Sequence, residues 1–194
     1  MADLPEHERF LHIAAEPGAG STTLALQLVH SGLKSDGRVL WIGRDMPHPD
    51  RLSTVFADIP VTALSRFHAG SFGEHIGRGL EESIELILGL DSLTHIVIYD
   101  WAGRSGRADS HVSRMLSRVL EICSEETVVI VTSALYADAS GQDEWAMRSG
   151  CNINEIWRLT RQSISNDKRN LVTSGQTYTL QLRDGVFEIQ DYSS

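Results

Sequence analysis

Apolar positions along this chain follow two rhythms that alternate. Short unbroken runs at Phe10-Leu11-His12-Ile13-Ala14, Arg38 to Gly43, Thr94 to Asp100 and Thr127 to Thr132 read as strands buried on both faces. Between them Leu24, Leu28 and Val29, then Ile76, Leu80, Ile84, Ile87 and Leu88, then Val112, Met115, Leu116, Val119, Leu120 and Cys123 recur at helical spacing. This predicts helices that stop near Lys34, with Gly37 as C-cap, and that cover 72–90 and 109–124. Pro49–Ile59 predicts a short helix, and Val61–Phe67 a strand. Strands and helices alternating in this way imply an α/β fold with a mainly parallel sheet. After Thr132 the helical rhythm ends. Ile153–Leu159, Gln176–Leu182 and Val186–Ile189 predict antiparallel strands extending the sheet, with Arg183-Asp184-Gly185 as a hairpin turn. No repeat, low-complexity tract or linker interrupts the pattern, so residues 1–194 are expected to form one domain.

The junction of the first strand and first helix reads Ala14-Ala15-Glu16-Pro17-Gly18-Ala19-Gly20-Ser21-Thr22-Thr23. Laid on the pattern GxxxxGK[ST], Ala15 takes the first glycine, Gly20 the second, Ser21 the lysine and Thr22 the hydroxyl that holds magnesium. Backbone N–H groups and the helix dipole of such a loop attract phosphate, whereas the lysine reaches the outer phosphates during transfer. Losing one hydrogen bond to a charged group costs roughly 1.5–3 kcal/mol, a loss that leaves room for weak binding. Gly18, Gly20, Ser21, Thr22 and Thr23 are therefore the candidate nucleotide-binding residues, for ATP or ADP with magnesium held weakly or not at all. Asp100, closing an apolar strand, is the candidate partner of Thr22 in holding magnesium. Asp45, at the end of the second strand beside Arg44, is a minor candidate for polarising a water. On composition alone, Gly18 and Gly20 could equally serve a tight turn, and Asp100 a cap.

Composition narrows the classes. The formal net charge of −9 argues against a surface given over to nucleic acid, which is bound through Lys and Arg. Arg158, Arg161, Lys168 and Arg169, with Arg148 nearby, are the candidate basic patch for DNA; a solvated hairpin face is the plain alternative. Cys123 and Cys151 show no metal or disulfide spacing, and a reducing cytoplasm is the expected location. No apolar stretch is long enough to span a bilayer, and no signal-peptide pattern opens the chain. The eight histidines form no metal motif.

The stretch Glu16-Pro17-Gly18-Ala19-Gly20-Ser21-Thr22-Thr23-Leu24-Ala25-Leu26-Gln27 resembles the first ATP-binding motif of RecA/RadA recombinases, especially the short archaeal RadB paralogs, whose loop carries Gly-Lys-Thr-Thr-Leu-Ala. Val129 to Asp138 resembles their strand ending in Thr-Asn-Gln-Val-Tyr-Thr/Ser-Asp. Arg148-Ser149-Gly150-Cys151 through Arg161 is similar to their Gly-Gly turn and following strand, and Arg183 to Ile189 to their closing hairpin. The resemblance covers nearly the whole chain and implies a RecA-like P-loop core.

The departures shape the implied function. Ser21 stands for the loop lysine and Ala15 for the first glycine. Ser133-Ala134 replaces an Asn-Gln pair that the family implies senses the γ-phosphate. The chain begins almost at the first core strand, which implies that the family's N-terminal DNA-binding domain is missing. The implied protein is a non-catalytic recombinase paralog, an accessory or mediator in homologous recombination and DNA repair. It would act through contacts with a recombinase or a sister RecA-like subunit, as a homo- or hetero-oligomer. The loop from Tyr136 to Gly150 is implied to touch single-stranded DNA; its centre is acidic, with Asp138, Asp143 and Glu144, while Trp145 and Arg148 offer a stacking surface and a cation. Two alternatives remain: a structural subunit of an Elongator-like ring unrelated to DNA, and a true ATPase whose lysine is supplied by another residue.

Overall fold

The computed structural model describes residues 4–103, 108–137, 145–162 and 165–193. Strand β1 (Phe10–Ala15) feeds helix α1 (Ser21–Lys34), followed by β2 (Arg38–Gly43), α2 (Pro49–Val55), α3 (Val61–Leu64) and β3 (Phe67–Ser71). A single 3-10 turn (Gly73–His75) leads into α4 (Ile76–Gly89), then β4 (Leu93–Tyr99), α5 (Ser110–Ile122) and β5 (Val128–Ala134). The short strands β6 (Tyr136–Ala137) and β7 (Trp145–Ala146) pair with each other. The chain then runs through β8 (Glu155–Gln162), β9 (Ser165–Val172), β10 (Thr177–Arg183) and β11 (Val186–Ser193).

Nine strands form one sheet in the order β11, β10, β9, β8, β1, β5, β4, β2, β3. From β8 to β3 neighbours are parallel; from β8 to β11 they are antiparallel. Alternating strand residues divide the interior between two faces. Leu11, Ile13, Trp41, Val97, Ile130, Trp157 and Leu159 pack with α1, α2 and α3. Leu40, Ile42, Ile96, Ile98, Val129 and Val131 pack with α4 and α5. β1 lies at the centre, so the loop leaving its end stands between two parallel neighbours, β8 and β5.

The closing hairpin folds back over α1. Asp184 and Gly185 both have positive φ, 48° and 82°, as a two-residue turn needs. The buried Gln27 of α1 donates to Phe187 O at 3.0 Å and accepts from Phe187 N at 2.7 Å, so one side-chain amide satisfies both backbone groups of a strand residue. At the turn, Arg51 of α2 donates to Gly185 O.

Two expectations are corrected, and one strand lies outside them. Val61–Phe67 is a strand only at its last residue. Pro60 caps a turn of helix at 61–64, Val61 is 83% exposed, and β3 begins at Phe67. Gly37 is not the left-handed residue after α1: Asp36 takes that conformation at φ 62°, while the Gly37 N–H closes on Gly32 O at 2.9 Å. A further strand, β9, lies in a polar segment outside the predicted set. Among the described residues no helix is long and apolar enough to cross a membrane.

Gly32 shows why α1 tolerates a glycine inside it. A Cβ there would collide with the His95 ring and with Thr94 Oγ1. Gly32→Ala, which in an open helix would stabilise by about 1 kcal/mol, is expected here to destabilise by about 1–3 kcal/mol through overpacking. A lower urea midpoint at unchanged m-value checks this.

Candidate functional site: a phosphate-loop cradle

The loop is built by backbone bonds at both ends. Leu135 N donates to Ala15 O (2.7 Å) and Glu16 N to Leu159 O (2.9 Å), so β5 and β8 hold the end of β1 from either side. Ala19 N then donates to Glu16 O, and Leu24 N to Gly20 O begins the helix. Gly18 and Gly20 take φ of 78° and 110°, where a side chain is strained. Gly20 also faces Phe187, whose Cζ would lie 2.7 Å from a Cβ. The residue that opens α1 is Gly20, which has no side chain with which to cap the helix.

Two arginines secure the outer side of the loop. Arg161 donates through Nη2 to Pro17 O, pairs through Nε with Glu16 Oε1 at 3.1 Å, and donates its backbone N–H to Glu16 Oε2 at 2.7 Å. Its cross-strand partner Arg169, 6% exposed, donates through Nε to Ala19 O at 2.8 Å. Burial, and then the charge of Arg161, lower the Arg169 pKa. In a planar trans peptide the N–H points opposite to the carbonyl, and the described residues include no cis bond. With the Pro17 and Ala19 carbonyls drawn outward, the Gly18 and Gly20 N–H groups turn the other way.

On the inner side a cleft of about 150 Å³ is lined by Glu16, Gly18, Ser21, Tyr99, Asp100 and Ser133, among others. Its floor carries a feature absent from the sequence-based expectations. The Tyr99 hydroxyl is 2.7 Å from Thr22 Oγ1 and 3.5 Å from Ser21 Oγ. The strand's period-two alternation was the available signal: Val97 and Tyr99 belong to the α1 face, Ile96 and Ile98 to the other. Tyr99 in turn stacks on buried Trp41, ring centroids 5.1 Å apart. Behind the cleft, Ser133 Oγ is 2.8 Å from Nε2 of His12, whose pKa burial lowers to about 4.

The other candidates are dispersed. Thr23 is buried in the first turn of α1. Asp100 lines the cleft, with its backbone fixed by Thr132 Oγ1 on its N–H (2.8 Å) and by Arg44 Nε on its carbonyl (2.9 Å). Asp45 is exposed in the turn after β2, and Arg44 reaches Glu74 at 2.8 Å. The five basic residues do not form one patch. Arg161 and Arg169 face the loop, whereas the alternation of β8 and β9 places Arg158 and Lys168 on the opposite face. Arg148 lies over the Tyr136 ring at 4.6 Å, and the acidic positions Asp138, Asp143 and Glu144 fall outside the described residues.

No family model and no curated protein matches the sequence. Solved structures do match in shape. The RadB recombinase superposes with a TM-score of 0.74 at 20% identity, over 94% of this chain and 90% of that one. A KaiC-like protein from Pyrococcus horikoshii OT3 gives 0.65 at 14%, over 94% and 89%. A DnaB-like replicative helicase gives 0.59 at 17%, over 94% of this chain and 57% of that one. At such identities the likeness is one of architecture: this chain has the RecA-like P-loop fold, with a mainly parallel sheet between helices and antiparallel strands at its C-terminal end.

Proposed function

We propose that this chain is a RecA-like domain that does not hydrolyse nucleotide, and that it acts as an accessory subunit in homologous recombination and DNA repair. The observation that carries this reading is the charge arrangement around the loop. Ser21 supplies a hydroxyl where phosphoryl transfer needs an ammonium, and Arg161 and Arg169 are held on the loop's outer carbonyls. A domain so arranged can bind phosphate through backbone N–H groups, but neither arginine is placed to stabilise charge developing in the transition state. Its contribution then lies in assembly with a recombinase or a sister RecA-like subunit. The recombination setting is supported by the fold shared with the RadB recombinase.

Phosphate release from Mg-ATP, with and without single-stranded DNA, tests the catalytic half: turnover above the buffer rate would end this reading. Ser21→Lys is expected to tighten ATP binding about tenfold, the size of one charged hydrogen bond. Affinity capture with and without nuclease tests the other half. A recombinase or single-strand-binding protein among the partners supports the role, and a ring of sister subunits without DNA proteins refutes it. DNA contact through Arg148, Arg158 and Lys168 belongs to the same proposal, and affinity falling steeply with salt is its expected signature.

A further inference from the structure

A magnesium ion is what Thr22 would hold in a working loop of this fold, and the residues around Thr22 do not fit one. Magnesium demands six oxygens in near-ideal octahedral geometry at about 2.0–2.1 Å and gives up its waters reluctantly. The Thr22 hydroxyl is already hydrogen-bonded to the Tyr99 hydroxyl at 2.7 Å, a neutral phenol that competes with a metal ion for the threonine oxygen and adds no negative charge to hold one.

Tyr99 is fixed in this place. β2 and β4 pair with Gly43 opposite Tyr99, and a Cβ on Gly43 would lie 3.2 Å from Tyr99 Cβ, so that face of the tyrosine backbone is closed. The ring rests on Trp41, itself fully buried, at an interplanar angle of 27°. Tyr99 holds the last inward position of β4. Asp100 leaves the strand at φ 54°, its N–H and carbonyl both bonded elsewhere, so the carboxylate follows after the strand has turned.

We propose that Tyr99 is a specificity-determining residue that keeps magnesium off Thr22, so that a phosphate-bearing ligand entering this loop binds without a metal ion. The proposal rests on reading the loop as a phosphate cradle and adds to that reading the class of ligand: a metal-free phosphate ester in place of the magnesium complex of a nucleoside triphosphate. Gly18 and Gly20 N–H groups, oriented by the arginines behind them, are the donors such a ligand would meet.

The test is calorimetric titration with the non-hydrolysable analogue adenylyl imidodiphosphate, in excess magnesium and in EDTA. It uses the wild type, Tyr99→Phe and Tyr99→Ala, with thermal melts to confirm folding. Tyr99→Phe keeps the ring on Trp41 and loses only the hydroxyl, so it stands in if Tyr99→Ala is unstable. For the wild type the two affinities are expected to agree within about twofold. Removing the hydroxyl frees Thr22, and magnesium should then tighten binding by about fivefold to tenfold, the worth of one hydrogen bond. Adding Thr22→Val to either variant should abolish that gain. A wild type that binds tenfold more tightly with magnesium overturns the proposal, as do variants without magnesium dependence, including variants that bind nothing. Phosphate release by the wild type from ATP itself would refute the non-hydrolytic reading instead, and the analogue keeps the two outcomes apart.

Discussion

Phe187→Ala is expected to destabilise the protein by about 3–5 kcal/mol, the range for deleting a buried aromatic side chain. At about 2–4 °C per kcal/mol for a chain of this size, the melting temperature should fall by roughly 10 °C. The ring is fully buried, and it is the surface on which Gly20 rests. Its loss therefore removes core packing and the support of the phosphate loop together. Hydrogen exchange should locate the damage: amides of residues 18–24 are expected to lose protection more than those of α5, which belongs to the other cluster. Phe187→Leu, which keeps most of the volume, should cost no more than about 1.5 kcal/mol. Equal protection loss across both faces would show that the ring supports the whole molecule and not the loop in particular.

Acid should destabilise the protein through two imidazoles, the buried His12 and the part-buried His95. His12 and His95 both have pKa values lowered from 6.5 to about 4, His12 by burial, and His95 by burial and then by the charge of His7. The unfolded chain therefore binds protons between pH 6.5 and pH 4 that the folded chain refuses. Stability is intact above pH 6.5, declines as pH falls through that window, and has lost the full amount below pH 4. At 1.36 kcal/mol per pKa unit, each residue accounts for about 3 kcal/mol, a large part of a typical total of about 5–15 kcal/mol. Urea midpoints measured from about pH 7 to pH 4 check the slope. Imidazole resonances titrating near 6.5 in the folded protein would refute the cause. Asp58 works in the same sense at still lower pH, because hydrogen bonds from Lys34 and His30 hold its carboxyl well below the usual range.

The parallel half of the fold was legible because its signals are local. A strand buried on both faces reads as an unbroken apolar run, and the crossover helices keep the 3.6 period beside it. Legibility failed where one face meets water or a tertiary neighbour decides. Phe67-His68-Ala69-Gly70-Ser71 is an edge strand with three half-buried and two exposed positions, so its pattern is faint, while Val61 is an exposed β-branched residue in a helix begun by Pro60. β9 is polar through most of its length and joins the sheet through main-chain pairing with β8 and β10.

The site divides in the same way. Gly18 and Gly20 were readable because their backbone angles have a local cause. Arg161 and Arg169 were visible as cations, yet their target was not: only cross-strand register sets them opposite one another beneath the loop. Tyr99 could have been found by counting inward positions along β4, where the strand's last such place falls on an aromatic hydroxyl one residue before the carboxylate.

The Gln27–Phe187 pairing carries a consequence for synthesis. Its two residues are 160 positions apart, and a contact of such long range closes late because the loop entropy must be met first. During translation, Phe187 leaves the ribosome long after Gln27, so the nascent chain must carry an unfinished α1 and an unsupported Gly20 until the closing hairpin has emerged. A chain truncated before the closing hairpin is therefore expected to present the loop without its Phe187 support.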